Sequence, residues 1–269
     1  MLSTNTTNPM ISVITVVRND AKNIRKTIST VLEQDLPSRE YIIIDGASSD
    51  GTLDIINEYR DRIDIIISEH DNGIYEAMNK GIKAGSGELV LFLNSGDYLA
   101  NDKVLSSIQK VYLEHPDVAF IFGGIILNYS KLSIQKKITR EFNEKRLTWG
   151  QQPPHPATFF KKSVLLEHGG FNTLFSYSAD FDLFCRLIKN KYAFINIDIP
   201  VTIFHSGGAS ARLSARIETY NIIKNNFMYH HAIRYMLFKM SESFMKNVLE
   251  TIGLLGIFHR IKKHYITQL

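Results

Sequence analysis

The chain has 269 residues, 44% of them hydrophobic and 22% charged, enough to bury a full α/β core and too balanced for a disordered or fibrous protein. Its one cysteine, Cys185, excludes an intrachain disulfide and a cysteine-based zinc site. The net charge of +4 is uneven: nine Lys/Arg against three Glu give Ala211–Leu269 a charge of +6 and leave −2 on the rest, which disfavours a nucleic-acid-binding body and suits an anionic surface near the tail.

In chain order, the polar start MLSTNTTNPM does not read as a signal peptide, and no apolar run approaches the roughly 20 residues of a membrane span. The expected location is cytoplasmic, with the tail resting on the inner membrane face if its surface binds lipid. Ile11–Val17 is a β-branched run of strand type, and Ala21–Gln34 carries apolar residues at helical spacing until Pro37. Tyr41–Ile44 predicts a second strand ended by Asp45, and GASSDG a turn. Thr52–Arg60 predicts a helix, Ile63–Ile67 a third strand, Ile74–Ala84 a helix and Leu89–Leu93 a fourth strand.

Four alternations of strand and helix predict an α/β fold, a mostly parallel central sheet flanked by helices. Ligands of such sheets sit at the carboxyl ends of the strands. Arg18–Asp20, Asp45 and Asp97 all fall there. A helix (Asp102–Glu114), a strand (Val118–Phe122) and a β-rich stretch to about Arg140 follow. Pro153-Pro154-His155-Pro156 is a rigid loop before a short strand, Ala157–Phe160. Further on are helices at Ser163–His168 and Asp180–Lys189, with strands at Ala193–Ile197 and Val201–Phe204. Ser214 to about Ile266 predicts two helices split near Met240–Glu242. This divides the chain into a body, 1–210, and a basic helical appendage, 211–269.

Five segments in this order, ISVITVVRND, YIIIDGASSDGT, DNGIYEAMNKGIKAGSGELVLFLNSGD, PHPATFF and SADFDLFCRL, together resemble the family 2 glycosyltransferases of GT-A fold, most closely bacterial members that build surface polysaccharides and O-antigens. The resemblance covers roughly residues 10–210 and implies transfer of a sugar from a nucleotide diphosphate to an acceptor hydroxyl, with inversion. It implies that Asp97 holds a divalent metal, Mg or Mn, against the donor diphosphate, with His205 as a further ligand. Asn94, Ser95 and Gly96 would lie against the nucleotide sugar, Gly96 allowing the backbone a close approach. Asp45 would accept from the uracil N3–H, which favours a UDP-sugar. Thr15, Arg18, Asp71 and Asn79 would lie by the nucleotide.

Asp180 matches the family's catalytic base, taking the acceptor proton as the new bond forms. Asp182 would instead favour the helix N-terminus. His155 would contact acceptor or diphosphate, and Trp149 would stack on a sugar face or fill core. The chain departs from the family pattern at Gly46, Asn94, Gly96 and Ala179, where acids usually stand. These departures motivate a second reading, a catalytically idle nucleotide-sugar-binding subunit. The turn VVRNDAKNI after the first strand lacks the glycines of a dinucleotide cradle, which disfavours an NAD enzyme. The acceptor implied is a glycan or a polyprenyl-diphosphate-linked sugar. Two readings stand for the tail: a lipid-surface anchor, or a helical appendage that packs on the body or, as a homodimer, on a second copy.

Overall fold

The computed structural model describes residues 10–129, 134–138, 141–205 and 213–251. Its strands are β1 (Ile11–Val17), β2 (Arg39–Asp45), β3 (Ile65–Ser68), β4 (Leu89–Phe92), β5 (Tyr98–Leu99), β6 (Phe120–Tyr129), β7 (Ile134–Ile138), β8 (Thr158–Lys161) and β9 (Phe194–His205). The helices are α1 (Ile24–Leu32), α2 (Thr52–Asn57), α3 (Ile74–Ala84), α4 (Val104–Glu114), α5 (Lys162–Glu167), α6 (Ala179–Lys189), α7 (Leu213–Asn226) and α8 (Tyr229–Thr251). One sheet runs β3-β2-β1-β4-β8-β6-β9-β5, with β7 on β6.

The half built from β1 to β4 is parallel throughout, because a helix returns the chain after β1, β2 and β3. Their period-2 pattern sorts side chains between two cores. Ile14, Val16, Ile42 and Ile44 face a core shared with α3 and α6, whereas Val13, Val17, Tyr41 and Ile43 face a core shared with α1 and α4. Both faces are buried, which explains why these strands read as continuous apolar runs. Beyond β4 the sheet turns antiparallel at β8 and regains a parallel pair at β6 and β9.

Two expected elements differ. The strands predicted at Ala193–Ile197 and Val201–Phe204 are one strand, β9, carried through Pro200. Pro200 stands opposite Gly124, where the register with β6 shifts on both sides, so the missing N–H falls at a bulge. The helical tail breaks at Phe227-Met228 rather than near Met240–Glu242. Helix α8 runs on because it packs along a 3-10 turn at Glu144–Trp149, with Trp149 edge-on to Phe238 and the Arg234 guanidinium 3.8 Å from the Trp149 ring centre. Ile222, Ile223, Ala232 and Tyr235 are buried in the same core as α6. Glu218 of α7 accepts from the main-chain N–H groups of Ser176, Tyr177 and Ser178, at 2.8–2.9 Å, just before α6 begins.

Candidate active site

The carboxyl ends of β1, β2 and β4 open on one side of the sheet, and the loops there are laced together. Asn19 donates its N–H to Ser48 Oγ (2.8 Å) and accepts from the Ser49 N–H (2.8 Å). The Asp20 N–H donates to Thr52 Oγ1 and the Ala21 N–H to Asp50. Asp50 also accepts from the Thr52 N–H at 3.0 Å, anchoring the start of α2.

Asp45 ends β2, fully buried. Its Oδ2 accepts from the Ser68 hydroxyl (2.6 Å) and the Ser48 N–H (3.1 Å), a local turn bond. Its Oδ1 is buried without a partner. An orphaned buried carboxylate oxygen is costly in water-free surroundings and calls for a donor. Asp71 packs against the next residue, Gly46: a Cβ there would come within 2.6 Å of Asp71 Oδ2 and 3.3 Å of the exposed Arg18 side chain. Asp71 therefore stands where a side chain at position 46 would begin, so an acid there would displace an existing one. Asp71 and Arg18 come together at Gly46, the residue after Asp45.

After β4 the chain turns through Asn94-Ser95-Gly96-Asp97. Gly96 has φ +91°, a left-handed conformation open to glycine at low cost. Ser95 donates to Asp20 Oδ2 (2.6 Å), and the Gly96 N–H donates to Thr27 Oγ1 (3.0 Å). The other oxygen of Asp20 accepts from Asn23 (2.6 Å). Asp97 is nearly buried at the end of this turn, and Asn94 Oδ1 is buried without a partner. The strand β5 then pairs Tyr98 with Ile203 of β9. That antiparallel register brings the main chain at His205 beside the same turn; the His205 side chain lies outside the described residues.

Asp180 sits in the first turn of α6. Tyr75 of α3 donates to its Oδ1 (3.0 Å) and Gln152 Nε2 to its Oδ2 (2.5 Å). Burial and the adjacent Asp180 charge push the Tyr75 hydroxyl far up, so it stays a donor. His155 opens a 3-10 turn before β8 and is buried against Phe92, 5.5 Å between ring centres. Burial lowers its pKa, and the charge on Asp180 opposes that only in part. Its Nε2 has no partner. Ala179 is wholly buried, so the Glu usual in the family would place a charge inside the core. Asp182 pairs with Arg186 at 2.8 Å, a helix-stabilising role.

Other candidates lie apart from this crevice. Thr15 is buried inside β1 and shares a hydrogen bond with the Tyr41 hydroxyl (3.1 Å). Asn79 clamps the main chain of Phe171 from both sides, at 2.8 and 2.9 Å. Phe171 in turn packs on Tyr75, Phe92 and His155. Trp149 meets α8. Lys80 pairs with Glu69 and Glu76, as a solvated helix face would. Two contributors are absent from the sequence reading, Tyr75 and Gln152. The only local trace of them was a hydroxyl-bearing aromatic in DNGIYEAMNKG and a polar pair before Pro153.

Among the described residues no three His, Cys, Asp or Glu side chains stand close enough to hold a metal ion by themselves. The turn after β4 nonetheless offers hard oxygen donors, the Asp97 carboxylate and the orphaned Asn94 Oδ1. That set fits Mg or Mn sharing its remaining positions with diphosphate oxygens and water.

The family model for glycosyl transferase family 2 matches residues 12–183. A PGL/p-HBAD biosynthesis glycosyltransferase of Mycobacterium bovis is 28% identical over 185 residues, 68% of this chain and 71% of the relative. Among solved structures, S. aureus TarS 1-349 in complex with UDP-GlcNAc shares the fold at TM-score 0.64 and 17% identity, over 82% of this chain and 69% of TarS. A mannosyltransferase from Pyrobaculum calidifontis, PcManGT, in complex with GDP-Man and Mn2+, does so at TM-score 0.65 and 15% identity, over 96% and 84%. The architecture is the GT-A fold.

Proposed function

The chain belongs to glycosyl transferase family 2, and from that premise we propose that it transfers a sugar from a UDP-sugar to an acceptor hydroxyl, with inversion, in the assembly of a bacterial surface glycan. The observation that carries the donor assignment is Asp45, whose buried Oδ1 lacks a partner and would accept from the uracil N3–H. Guanine offers a different edge. Arg18 and Asp71 flank the nucleoside. The diphosphate would run over the Asn94–Asp97 turn, where Gly96 adds no side chain.

Asp97 and Asn94 would hold a divalent ion, with His205 as the further candidate from β9. Such an ion neutralises the charge that develops on the departing diphosphate. Asp180 acts as base. As the acceptor oxygen bonds to the anomeric carbon, its proton passes to the Asp180 carboxylate and the carbon–oxygen bond to the diphosphate breaks, its electron pair leaving with the phosphate. Tyr75 of α3 and Gln152 of the segment 141–154 hold the two oxygens of the carboxylate. His155 Nε2 offers a buried polar contact to the sugar or diphosphate.

The acceptor proposed is lipid-linked. Its support is the +6 tail and an exposed apolar stripe on α8, Ile233, Leu237, Met240 and Phe244, at helical spacing. No helix among the described residues is long and apolar enough to cross a membrane.

Thermal unfolding with added nucleotides tests the donor and metal assignments. UDP with Mg or Mn at about 100 times its Kd should stabilise by about 2.7 kcal/mol, and GDP at equal concentration by less. Asp97→Ala should abolish the part that depends on the ion. Equal stabilisation with chelator present would refute the metal site, and stronger stabilisation by GDP would refute the pairing of Asp45 with uracil.

A further inference from the structure

The match to the family ends at residue 183, and helices α7 and α8 lie beyond it. Both reach back to the segments around Asp180. On α7, Glu218 accepts from the main-chain N–H groups of Ser176 (2.9 Å), Tyr177 (2.8 Å) and Ser178 (2.9 Å). Ser178 is the last residue before α6, and Asp180 is the second residue of that helix. The Ser178 side chain does not cap α6. It is buried and turned to α7, where its hydroxyl donates to the Ala215 carbonyl (3.1 Å) and shares a bond with Thr219 Oγ1 (3.1 Å). The lead into α6 is thus fastened from α7.

On α8, Arg234 donates to Thr148 Oγ1 (2.8 Å) and lies over the Trp149 ring. Gly150 comes next, with φ +67°, so close to α8 that a Cβ there would fall 2.3 Å from the Tyr235 ring. Two residues on, Gln152 donates to Asp180. Helices that only packed on the body would need little beyond their buried residues, Ile222, Ile223, Ala232 and Tyr235. These polar contacts fall instead on residues 148 and 176–178, next to the base and next to its partner. The Glu218 charge also helps to push the Tyr75 hydroxyl up, after burial and Asp180 itself, so it lies within electrostatic reach of the Tyr75–Asp180 pair.

We propose that the C-terminal helix pair is a working part of the active site: Glu218 is a positioning residue that fixes the first turn of α6 and so aims Asp180, and Arg234 is a second, holding the segment that carries Gln152. The proposal rests on Asp180 as base. A base works only within hydrogen-bond reach of the proton it takes, and a displacement of about 1 Å can cost about 100-fold in rate. Bonds between a carboxylate and main-chain N–H groups are charge-assisted and strong, so Glu218 suits this task. Without it, three N–H groups lose their acceptor two to four residues before Asp180. The loops at the ends of β1, β2 and β4 keep their own bonds, so the donor should still bind.

The test is UDP release by the full chain from UDP-glucose, UDP-galactose and UDP-N-acetylglucosamine with Mg, water serving as acceptor and turnover expressed per UDP-binding site. Glu218→Ala should lower kcat about 10- to 100-fold with KM and UDP affinity within about twofold of wild type. Glu218→Gln, which keeps one accepting oxygen, should restore part of the loss, and Arg234→Ala should lower kcat in the same way. Ser12→Ala serves as a stability control, because Ser12 is buried at the far end of β1 on Glu40 and the Gly87 N–H; it should lower the melting temperature and keep kcat. A kcat of Glu218→Ala within about twofold of wild type, a rise in KM alone, or an equal kcat loss in Ser12→Ala would overturn the proposal, and unchanged kcat in Arg234→Ala would remove its α8 half. Asp180→Asn, run alongside, separates the premise: if it keeps turnover, or if the wild type releases no UDP, the base itself is refuted. If Glu218→Ala does not fold, Glu218→Gln decides, with a loss of about threefold or more expected.

Discussion

Asp180 gains its position from two residues far from it in sequence, Tyr75 in particular lying 105 positions away. Replacing Asp180 by Asn keeps the shape and removes the proton acceptor. Turnover, measured as UDP release, should fall on the order of 100- to 10,000-fold while UDP binding is retained. Near-normal turnover would move the base elsewhere. A wild-type protein that binds UDP-sugars and releases no UDP would favour the idle binding subunit. His155 makes a separate prediction. Its pKa is lowered by burial, so below the unfolded value of about 6.5 the unfolded chain binds a proton that the folded one refuses. Stability should therefore fall as pH drops from 7 to 5, and His155→Gln should flatten that dependence. An unchanged slope would show that other groups govern the acid limb. The sequence marked Asp180 and His155 through their motifs, but it could not mark Tyr75 or Gln152 as partners. An aromatic in a helix's first turn looks like core, and only the packing of α3 near α6 makes it a hydrogen-bond donor.

At the scale of elements, Asn79 ties helix α3 to the segment before α6. Its amide bonds the N–H and the carbonyl of Phe171, and Phe171 is the floor under Tyr75 and His155. Asn79→Ala should lower stability by about 1–3 kcal/mol in denaturant unfolding, because two main-chain groups lose their partner. It should also lower turnover through the displaced floor. A loss of turnover with unchanged stability would point to direct contact with the nucleotide instead. The alternating strands and helices through β4 were legible because each is amphipathic or wholly apolar over its own length. Boundaries blurred where long-range pairing decides them. β9 continues through Pro200 because β6 bulges opposite it, and α8 continues through Met240 because Trp149 and Arg234 support it.

For the whole molecule, the basic residues and the exposed apolar side chains fall in the same stretch of sequence. Leu237 is 61% exposed and Phe244 72%, while Phe238 turns inward to Trp149. Arg260, Lys262 and Lys263 follow in the part of the chain outside the described residues, as does Phe258. If this surface rests on lipid, the protein should sediment with anionic vesicles, less so in high salt. Replacing Arg260, Lys262 and Lys263 by Gln should weaken that binding by up to roughly 1 kcal/mol per charge, less where salt screens it. A dimer in sedimentation that ignores anionic vesicles would assign the stripe to a second copy of the chain. The sequence by itself determined the alternating α/β order, the acids at the strand ends and the uneven charge, since each is written in local pattern or composition. Only the tertiary structure decided which groups meet: Tyr75 and Gln152 on Asp180, Asn79 on Phe171, and Trp149 against α8. Those contacts depend on register and on helix packing between segments far apart in the chain, and no local pattern encodes them.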